Sequence, residues 1–196
     1  MLSSDFIAKN KTIMAKKRGA GYWLWKPYVI LDTLKNATEG DLVIYIDSGI
    51  IIKKPLDLLI NQLGDFHMMA FYTSFKNLLY IKNDLFTQMG MDSNYAKQHL
   101  HYDAAILVMR NVKQTREFVE KWLKWCEDEH ALTDTPSKSN ESPEFIDHRH
   151  DQAIMSLLLL KEADNIKLLA LPMELKQKFF YHHRRREVNK SLVILD

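Results

Sequence analysis

The sequence predicts an α/β fold with a mixed, mostly parallel sheet flanked by helices. Short apolar runs of strand length alternate with longer amphipathic stretches, as they do in layered α/β folds. Leu42–Ile46 is apolar at every position, which favours a central strand of a parallel sheet that is covered on both faces. Residues 115–127 place Phe118, Trp122 and Cys126 on one face, as a helix packed against a sheet does.

The remaining elements follow from capping residues, turn residues and hydrophobic periodicity. Helices are predicted at 3–17, 28–35 and 55–63 and from residue 150, and strands at 50–52, 68–72, 79–81, 104–109, 168–171 and 192–195. Ser3 or Ser4 is expected to cap the first helix, and Gly19 and Gly21 to end it. Residues 131–146 are rich in Thr, Ser, Asn and Pro, which predicts a mobile loop.

Composition narrows the class of protein. The 196 residues are 46% hydrophobic and 27% charged, which predicts a single globular domain over residues 1–196. A net charge of +2 argues against a general nucleic-acid binder. The single cysteine, Cys126, allows no internal disulfide and fits a reducing compartment. With no apolar signal core, the expected location is cytoplasmic, and contact with a membrane surface stays open.

The stretch "YIDSGIII" places Asp47 directly after an apolar strand. Ligands of open α/β sheets bind outside the carboxyl ends of strands, and a carboxylate there can hold Mg²⁺ or Mn²⁺. Gly49 would let a ligand come close to the backbone. The alternative is a plain strand end at which Asp47 caps a turn.

Two later stretches are dense in polar side chains. "HRHDQ", residues 148–152, precedes a very apolar helix, whose N-terminus favours anions. Asp151 alone could be explained as a partner of that helix dipole, but its neighbours favour a site. "YHHRRR", residues 181–186, can supply a metal ligand and phosphate contacts, or it is a solvated basic tail.

Two further candidates involve aromatic and charged residues. Trp23 and Trp25 of "GYWLWKP" share one face of an extended segment, so we expect one in the core and leave the other open for stacking on a sugar or base. Lys26 is hard to bury without a carboxylate or phosphate partner. Asp103 precedes an apolar strand and is interpreted as a contact to ligand hydroxyls or as a turn residue. His99 and His101 are predicted to lie at the surface.

The motifs "RGAGYWLWKPYVILDTL", "GDLVIYIDSG", "YIKNDLF" and "HRHDQAIMSLL" together resemble a group of small glycosyltransferases from bacteria and large viruses. From about Phe6 to Arg186 the chain is similar to these sugar-nucleotide-dependent transferases of the GT-A fold. The resemblance implies transfer of a sugar from a nucleotide-diphosphate sugar, expected to be a UDP-sugar, to a glycan or lipid-linked acceptor in polysaccharide or glycan synthesis. It also implies Mn²⁺ or Mg²⁺ as cofactor.

The resemblance assigns roles residue by residue. Asp47 would hold the metal against the donor diphosphate, and His182 or His183 would complete its coordination. Asp151 and Gln152 resemble the catalytic pair near the anomeric carbon of the donor sugar. The residues expected to contact the donor sugar or its phosphates are Lys26, Ser48, Gly49, Asp103, His150 and Arg184.

The chain departs from the GT-A pattern in two places. The motif after the first strand is Asp-Ser-Gly rather than Asp-x-Asp, so Asp47 is the only carboxylate expected from that loop. Only 46 residues precede Asp47, so the fold is expected to lack part of the N-terminal nucleotide-binding unit. Two other functions stay open: an inactive GT-A-like protein that binds carbohydrate or acts as a scaffold, and a metal-dependent phosphohydrolase.

Overall fold

A computed structural model describes residues 2–183 as a mixed four-stranded sheet with helices on both faces, beside a two-stranded ribbon. The helices are α1 Ser4–Lys9, α2 Lys11–Met14, α3 Gly19–Tyr22, α4 Trp25–Asn36, α5 Asp57–Ile60, α6 Asn77–Tyr80, α7 Asn83–Gln88, α8 Asn94–Gln98, α9 Lys113–Cys126, α10 Glu129–Leu132, α11 His150–Lys161 and α12 Met173–Phe179. The strands are β1 Leu42–Ile46, β2 Ile50–Ile52, β3 Met68–Lys76, β4 Leu100–Arg110, β5 Leu168–Pro172 and β6 Phe180–His182. A 3₁₀ turn, Asn61–Leu63, follows α5.

The main sheet has the strand order β1-β4-β3-β5. Strand β4 pairs antiparallel with both β1 and β3, and only β3 and β5 pair in parallel. The predicted mostly parallel sheet is therefore wrong, and within residues 2–183 β1 is an edge strand instead of a central one. The apolar sequence of β1 indicates only that both faces of the strand are covered by other layers. An edge strand of a layered fold can also be covered on both faces, so the sequence does not distinguish it from a central strand. Strands β1, β3 and β5 nevertheless run in the same direction, so their carboxyl ends meet at one edge of the sheet.

Alternating residues of the central strands build one core on each face of the sheet. Met68 and Ala70 of β3 face the layer that contains α4, α9 and α11. Met69 and Phe71 face the opposite layer, with Leu59, Phe179 and Phe180. In the first layer, Cys126 is a fully buried core residue, and burial raises the pKa of its thiol well above its usual value.

Several boundaries differ from the predicted ones. The helix predicted over 3–17 is two short helices that break at Asn10, although Ser3 does cap the first by accepting from the Phe6 amide at 3.2 Å. The strand predicted at 79–81 is wrong, since residues 77–80 form α6. The strand predicted at 192–195 lies outside the described residues. Within residues 2–183, no helix has both the length and the hydropathy needed to cross a bilayer.

Residues 19–23 form a left-handed turn. All five have positive φ, with values of 55° at Gly19, 49° at Ala20, 93° at Gly21, 53° at Tyr22 and 60° at Trp23. Such a conformation costs each non-glycine residue roughly 1–2 kcal/mol. Gly19 is required for a second reason, because a Cβ there would meet the Trp23 ring at 2.5 Å. Residues 19–23, where the first helix was predicted to end, therefore form a strained left-handed turn instead.

Candidate functional site

A cleft of about 930 Å³ opens at the sheet edge where β1, β3 and β5 end. Asp47 follows β1, Thr73 and Phe75 come from the end of β3, and Met173 follows β5; all four line this cleft. The N-terminus of α11 closes it from one helical layer. The structure thus places Asp47 in a cleft at the carboxyl ends of strands, which is where the sequence predicted a site.

Lys26 is the buried centre of this cleft, with only 4% of its surface exposed. It belongs to the first turn of α4, and its Nζ lies 3.1 Å from Asp151 Oδ2 and 3.4 Å from Asp47 Oδ1. Asp47 Oδ1 also accepts a hydrogen bond of 2.6 Å from the Tyr45 hydroxyl. Three segments that are far apart in sequence therefore meet around one ammonium group.

The charges of this group shift one another's ionisation. Burial raises the pKa of Asp151 to about 6, and the nearby Lys26 ammonium only partly opposes that rise. Burial lowers the pKa of Lys26, but Asp151 and Asp47 outweigh it, so the pKa is raised overall. Burial, followed by the hydrogen bond to Asp47, raises the pKa of the Tyr45 phenol. At neutral pH the lysine is charged, and Asp151 is a carboxylate that takes up a proton readily.

A bulge in β4 explains the placement of Asp103 and Gln152. The register of β3 on β4 jumps from Ala70 opposite Leu107 to Phe71 opposite Asp103, so residues 104–106 have no partner on β3. Side chains satisfy the backbone groups that this bulge frees. Lys26 donates to the Ala104 carbonyl at 3.3 Å, Gln152 Oε1 lies 3.5 Å from the Ala104 amide, and Asp103 accepts from the Ala105 amide at 3.1 Å. Bulges of this kind recur next to active sites.

The second carboxylate oxygen of Asp103 accepts from Lys176 of α12, and both residues are buried in the cleft wall. This pair places a second lysine in the cleft, where Lys26 is the first. The sequence contained no sign of it, because Lys176 lies in an ordinary amphipathic stretch between β5 and β6.

Neither Trp23 nor Trp25 lies in the core, so the expectation that one of them would be buried there is wrong; both are half-buried. Trp25 lies outside the cleft, and its indole Nε1 donates to the Gly19 carbonyl at 3.0 Å, which closes the left-handed turn. Trp23 lines the cleft and stacks on His150, with ring centroids 5.6 Å apart. His150 is buried at the start of α11, and burial lowers its pKa, so it is neutral at physiological pH. A neutral imidazole is a weak phosphate ligand, so His150 suits a contact to the donor sugar better than one to its phosphates.

The predicted metal ligands are only partly assembled. Strands β2 and β6 pair Ile50 with His182, and the His183 amide donates to the Gly49 carbonyl at 2.7 Å, so the Asp47 loop and the late histidines do meet. Asp47 and His182 line the cleft. Among residues 2–183, however, no group of three His, Cys, Asp or Glu side chains is arranged to hold a metal. A Mg²⁺ or Mn²⁺ ion here fits only if phosphate oxygens and water complete its ligands.

Other predicted residues lie at the margin of the cleft or beyond it. Ser48 is exposed and Gly49 is half-buried in the turn after β1, and neither belongs to the cleft wall. Arg184 lies outside the described residues. His101, predicted to be a surface residue, is instead 1% exposed and lines the cleft. That prediction is wrong because the bulged half of β4 is covered on both sides.

Unsatisfied polar atoms concentrate at this cleft. Four buried side-chain atoms within residues 2–183 make no hydrogen bond: Oδ1 of Asp147, Oδ2 of Asp151, and Nε2 of His101 and of His150. Three of the four residues line the cleft, and the fourth pairs with the cleft residue Arg149 at 3.1 Å. The two carboxylate oxygens have ion-pair contacts, whereas His101 Nε2 has none. Buried polar atoms are normally paired, so His101 Nε2 is the atom of this cleft wall that calls for a ligand or another explanation.

No protein-family model matches the chain, and no curated protein shows significant similarity to it.

Proposed function

We propose that this chain is a GT-A-like glycosyltransferase that moves a sugar from a nucleotide-diphosphate sugar to an acceptor hydroxyl. The observation that carries the proposal is the Lys26 group, in which residues of "GYWLWKP", "YIDSG" and "HRHDQ" meet in one cleft. The cleft combines cations for phosphate, carboxylates for hydroxyls and an aromatic wall for a sugar ring or base. That set of groups suits a nucleotide-sugar ligand better than a purely apolar one.

The roles follow from the chemistry of each group. The bond between the anomeric carbon and the diphosphate oxygen breaks while the acceptor oxygen bonds to that carbon, and the acceptor proton must leave. Asp151, with a pKa of about 6, is the base proposed to take that proton. Lys26 and Lys176 are proposed to stabilise the negative charge that builds up on the leaving diphosphate. Asp103 and Gln152 would orient sugar hydroxyls.

A divalent cation belongs to the proposal through Asp47 and His182. These two side chains would hold Mn²⁺ or Mg²⁺, and the ion would supply positive charge against the leaving diphosphate. Every residue of the Lys26 group keeps its role of binding and positioning whether or not that ion is required.

Turnover of nucleotide sugars tests the proposal. We would measure hydrolysis and transfer with UDP-, GDP- and dTDP-sugars, with and without Mn²⁺, for the wild type and Asp151→Asn. The variant is expected to lose about 10²–10⁴-fold in rate, the usual contribution of a positioned base. Asp164→Asn, at an exposed position beyond the far end of α11, is the matched control and should keep wild-type rates.

Two results would contradict the proposal. One is the absence of any turnover across the donor panel under both metal conditions. The other is a rate for Asp151→Asn equal to that of Asp164→Asn, since it would remove Asp151 from the chemistry.

A second candidate is a GT-A-like protein that binds carbohydrate without catalysis. Asp103 and Asp151 are already paired with lysines, and Asp47 is paired with Lys26 and Tyr45, which suits a static binding wall. Calorimetry separates the two candidates, because this one predicts affinity for a glycan and no metal-dependent affinity for UDP. A phosphohydrolase would release inorganic phosphate from UDP without an acceptor. This hypothesis is the least supported, because residues 2–183 hold no group of three metal ligands.

A further inference from the structure

His101 is a buried cleft residue with one ring nitrogen in use and the other free. It lies in the first half of β4, and Nδ1 is 2.9 Å from Asn77 Oδ1. Nε2 is buried and has no hydrogen-bond partner within residues 2–183. The proposed mechanism does not use this residue.

The hydrogen-bond network fixes the tautomer of His101. The Asn77 side-chain amide nitrogen donates to the Ala96 carbonyl at 3.0 Å, so its oxygen faces His101. An amide oxygen only accepts, and Nδ1 must therefore carry the proton. Nε2 is then a bare lone pair. Burial, with Arg149 nearby, lowers the pKa of His101 to about 3, so the ring stays neutral and Nε2 remains an acceptor at physiological pH.

The side chains around His101 form an aromatic surface. The Tyr80 ring lies 5.9 Å from the His101 ring, and Phe75 packs edge-on against Tyr80 at 5.4 Å. The Arg149 guanidinium lies 4.6 Å from the centre of the Tyr80 ring. Phe75, Tyr80 and Arg149 all line the cleft, and Phe75 is 48% exposed. Aromatic faces beside a hydrogen-bond acceptor suit the C–H face and hydroxyls of a sugar ring.

The Phe75 end of this surface is separated from Asp47 of the Lys26 group by a strand. Asp47 follows β1 and Phe75 ends β3, and β4 lies between those two strands. Strands two places apart in a sheet are about 10 Å from each other, roughly the length of two linked sugar rings. A ligand that spans the cleft therefore presents one part to the cations and another to Phe75, with His101 on the strand between them.

We propose that Phe75, Tyr80 and His101 form the subsite for the acceptor, which is a sugar whose ring lies on the aromatic surface and whose hydroxyl donates to His101 Nε2. This inference rests on the proposed function and adds the class of acceptor to it. Nε2 is buried, so the proposal requires a side chain to move, and we expect it to be Arg149, which lies over the Tyr80 ring and is 41% exposed. An ionised phosphate oxygen has no proton to donate to Nε2, so a hydroxyl suits this atom better than a phosphate does.

Binding of methyl glycosides to the full chain tests the subsite. The probes are methyl glycosides of glucose, galactose, mannose and N-acetylglucosamine, with UDP as the contrasting probe. We would follow the ¹⁵N resonance of His101 Nε2 and measure affinities by calorimetry. At least one glycoside is expected to shift that resonance, and UDP is expected to leave it in place.

Variants then separate the acceptor atom from the fold. His101→Asn keeps a donor for Asn77 but lacks Nε2, and it should bind the glycoside at least 10-fold more weakly. His99→Asn, on the same segment but outside the cleft wall, is the matched control and should bind as the wild type does. Replacing the contacted hydroxyl of the glycoside by hydrogen should weaken binding to the wild type and leave binding to His101→Asn unchanged.

The subsite is wrong if no glycoside shifts the Nε2 resonance, or if His101→Asn binds the glycosides as tightly as His99→Asn does. Those outcomes leave the proposed function standing wherever nucleotide-sugar turnover is found. Conversely, a glycoside that binds through Nε2 in a protein without turnover removes the transferase and keeps the sugar subsite.

Discussion

The cleft and the 131–146 segment are both rich in polar side chains, but the two regions differ in how completely these side chains are hydrogen-bonded. Asp84 at the start of α7 accepts from the Lys138 amide at 2.7 Å, from the Ser139 amide and hydroxyl, and from His130 Nε2 at 2.9 Å. Lys82 donates to the carbonyls of Thr133 and Thr135. This network leaves none of its buried side-chain atoms without a hydrogen bond, whereas in the cleft wall Nε2 of His101 has neither a hydrogen bond nor an ion pair among residues 2–183.

The same residue types therefore ionise differently in the two regions. Hydrogen bonds from Ser139 and the Lys138 amide lower the pKa of Asp84, while burial raises that of Asp151. Burial lowers the pKa of Lys82, which has carbonyl partners, while two carboxylates raise that of Lys26. A closed polar network, in which every buried group has a partner, fixes the position of a segment. A network that leaves a buried group without a partner keeps that group for a ligand. The segment predicted to be a mobile loop makes hydrogen bonds to Lys82, Asn83 and Asp84 at the start of α7.

The largest expected effect is on Lys26→Met, which leaves Asp151 and Asp47 as uncompensated charges in the cleft wall. Removing one partner of a buried ion pair costs about 3–5 kcal/mol, and we expect that loss in the free energy of unfolding by urea denaturation. Adding Asp151→Asn should recover part of it. A loss under 1 kcal/mol would mean that the Lys26 group is solvated and that the contrast with the closed network is false.

The next effect is a pH dependence whose sign differs between the regions. Because the folded pKa of Asp151 is raised to about 6 from 3.8, its contribution to stability is present below pH 4 and is lost as pH rises through 6. At about 1.4 kcal/mol per pKa unit this amounts to about 3 kcal/mol. The stability difference between the wild type and Asp151→Asn should change accordingly between pH 4 and 7. Parallel curves would contradict the raised pKa.

A smaller loss is expected for Asp84→Ala, which removes the acceptor that holds residues 138 and 139. Hydrogen bonds to a charged group contribute about 1.5–3 kcal/mol, and we expect a loss of about 2 kcal/mol by the same denaturation. Its folded pKa is lowered, so this contribution is present above pH 4 and lost in acid, the reverse of Asp151. Affinity for cleft ligands should not change; a parallel loss of affinity would show that the two networks are coupled.

The smallest effect is a gain in stability for Ala20→Gly. Ala20 has φ 49° and ψ 53° in the left-handed turn, a conformation that glycine adopts freely. Relief of that strain, offset by the greater entropy of the unfolded chain, should raise the free energy of unfolding by about 0.5–1 kcal/mol. Ala15→Gly, at φ −74°, is the control and should lower it. A loss for both would show that the turn is not left-handed in solution.

Much of the fold could be predicted because its signals are local. The periodicity of α9 and the apolar length of α11 set their positions, and Ser3 marked a true cap. The direction of β4 could not be predicted, because a buried apolar strand looks the same in parallel and antiparallel pairing. The left-handed turn was equally hidden, since its two glycines suggested only the end of a helix.

The site was predictable where a residue was chemically out of place. Lys26 within an apolar aromatic segment and Asp151 ahead of an apolar helix both stood out, and both lie in the cleft. Lys176 and His101 did not stand out, because their roles depend on a β4 bulge that no local pattern encodes. Asp103 was interpreted either as a contact to ligand hydroxyls or as a turn residue. In the structure it accepts from the Ala105 amide in the bulge and from Lys176.

Trp122 is a core residue that makes a hydrogen bond to the backbone of a cleft residue. Its indole, buried in the layer between α9 and the sheet, donates to the Asp151 carbonyl at 2.9 Å. The start of α11 is therefore held in place by a core residue that does not line the cleft. In a genetic screen for lost activity, substitutions at Trp122 should appear beside those at Asp151. Their phenotype should be temperature-sensitive, with the wild-type pH optimum retained by the protein that still folds.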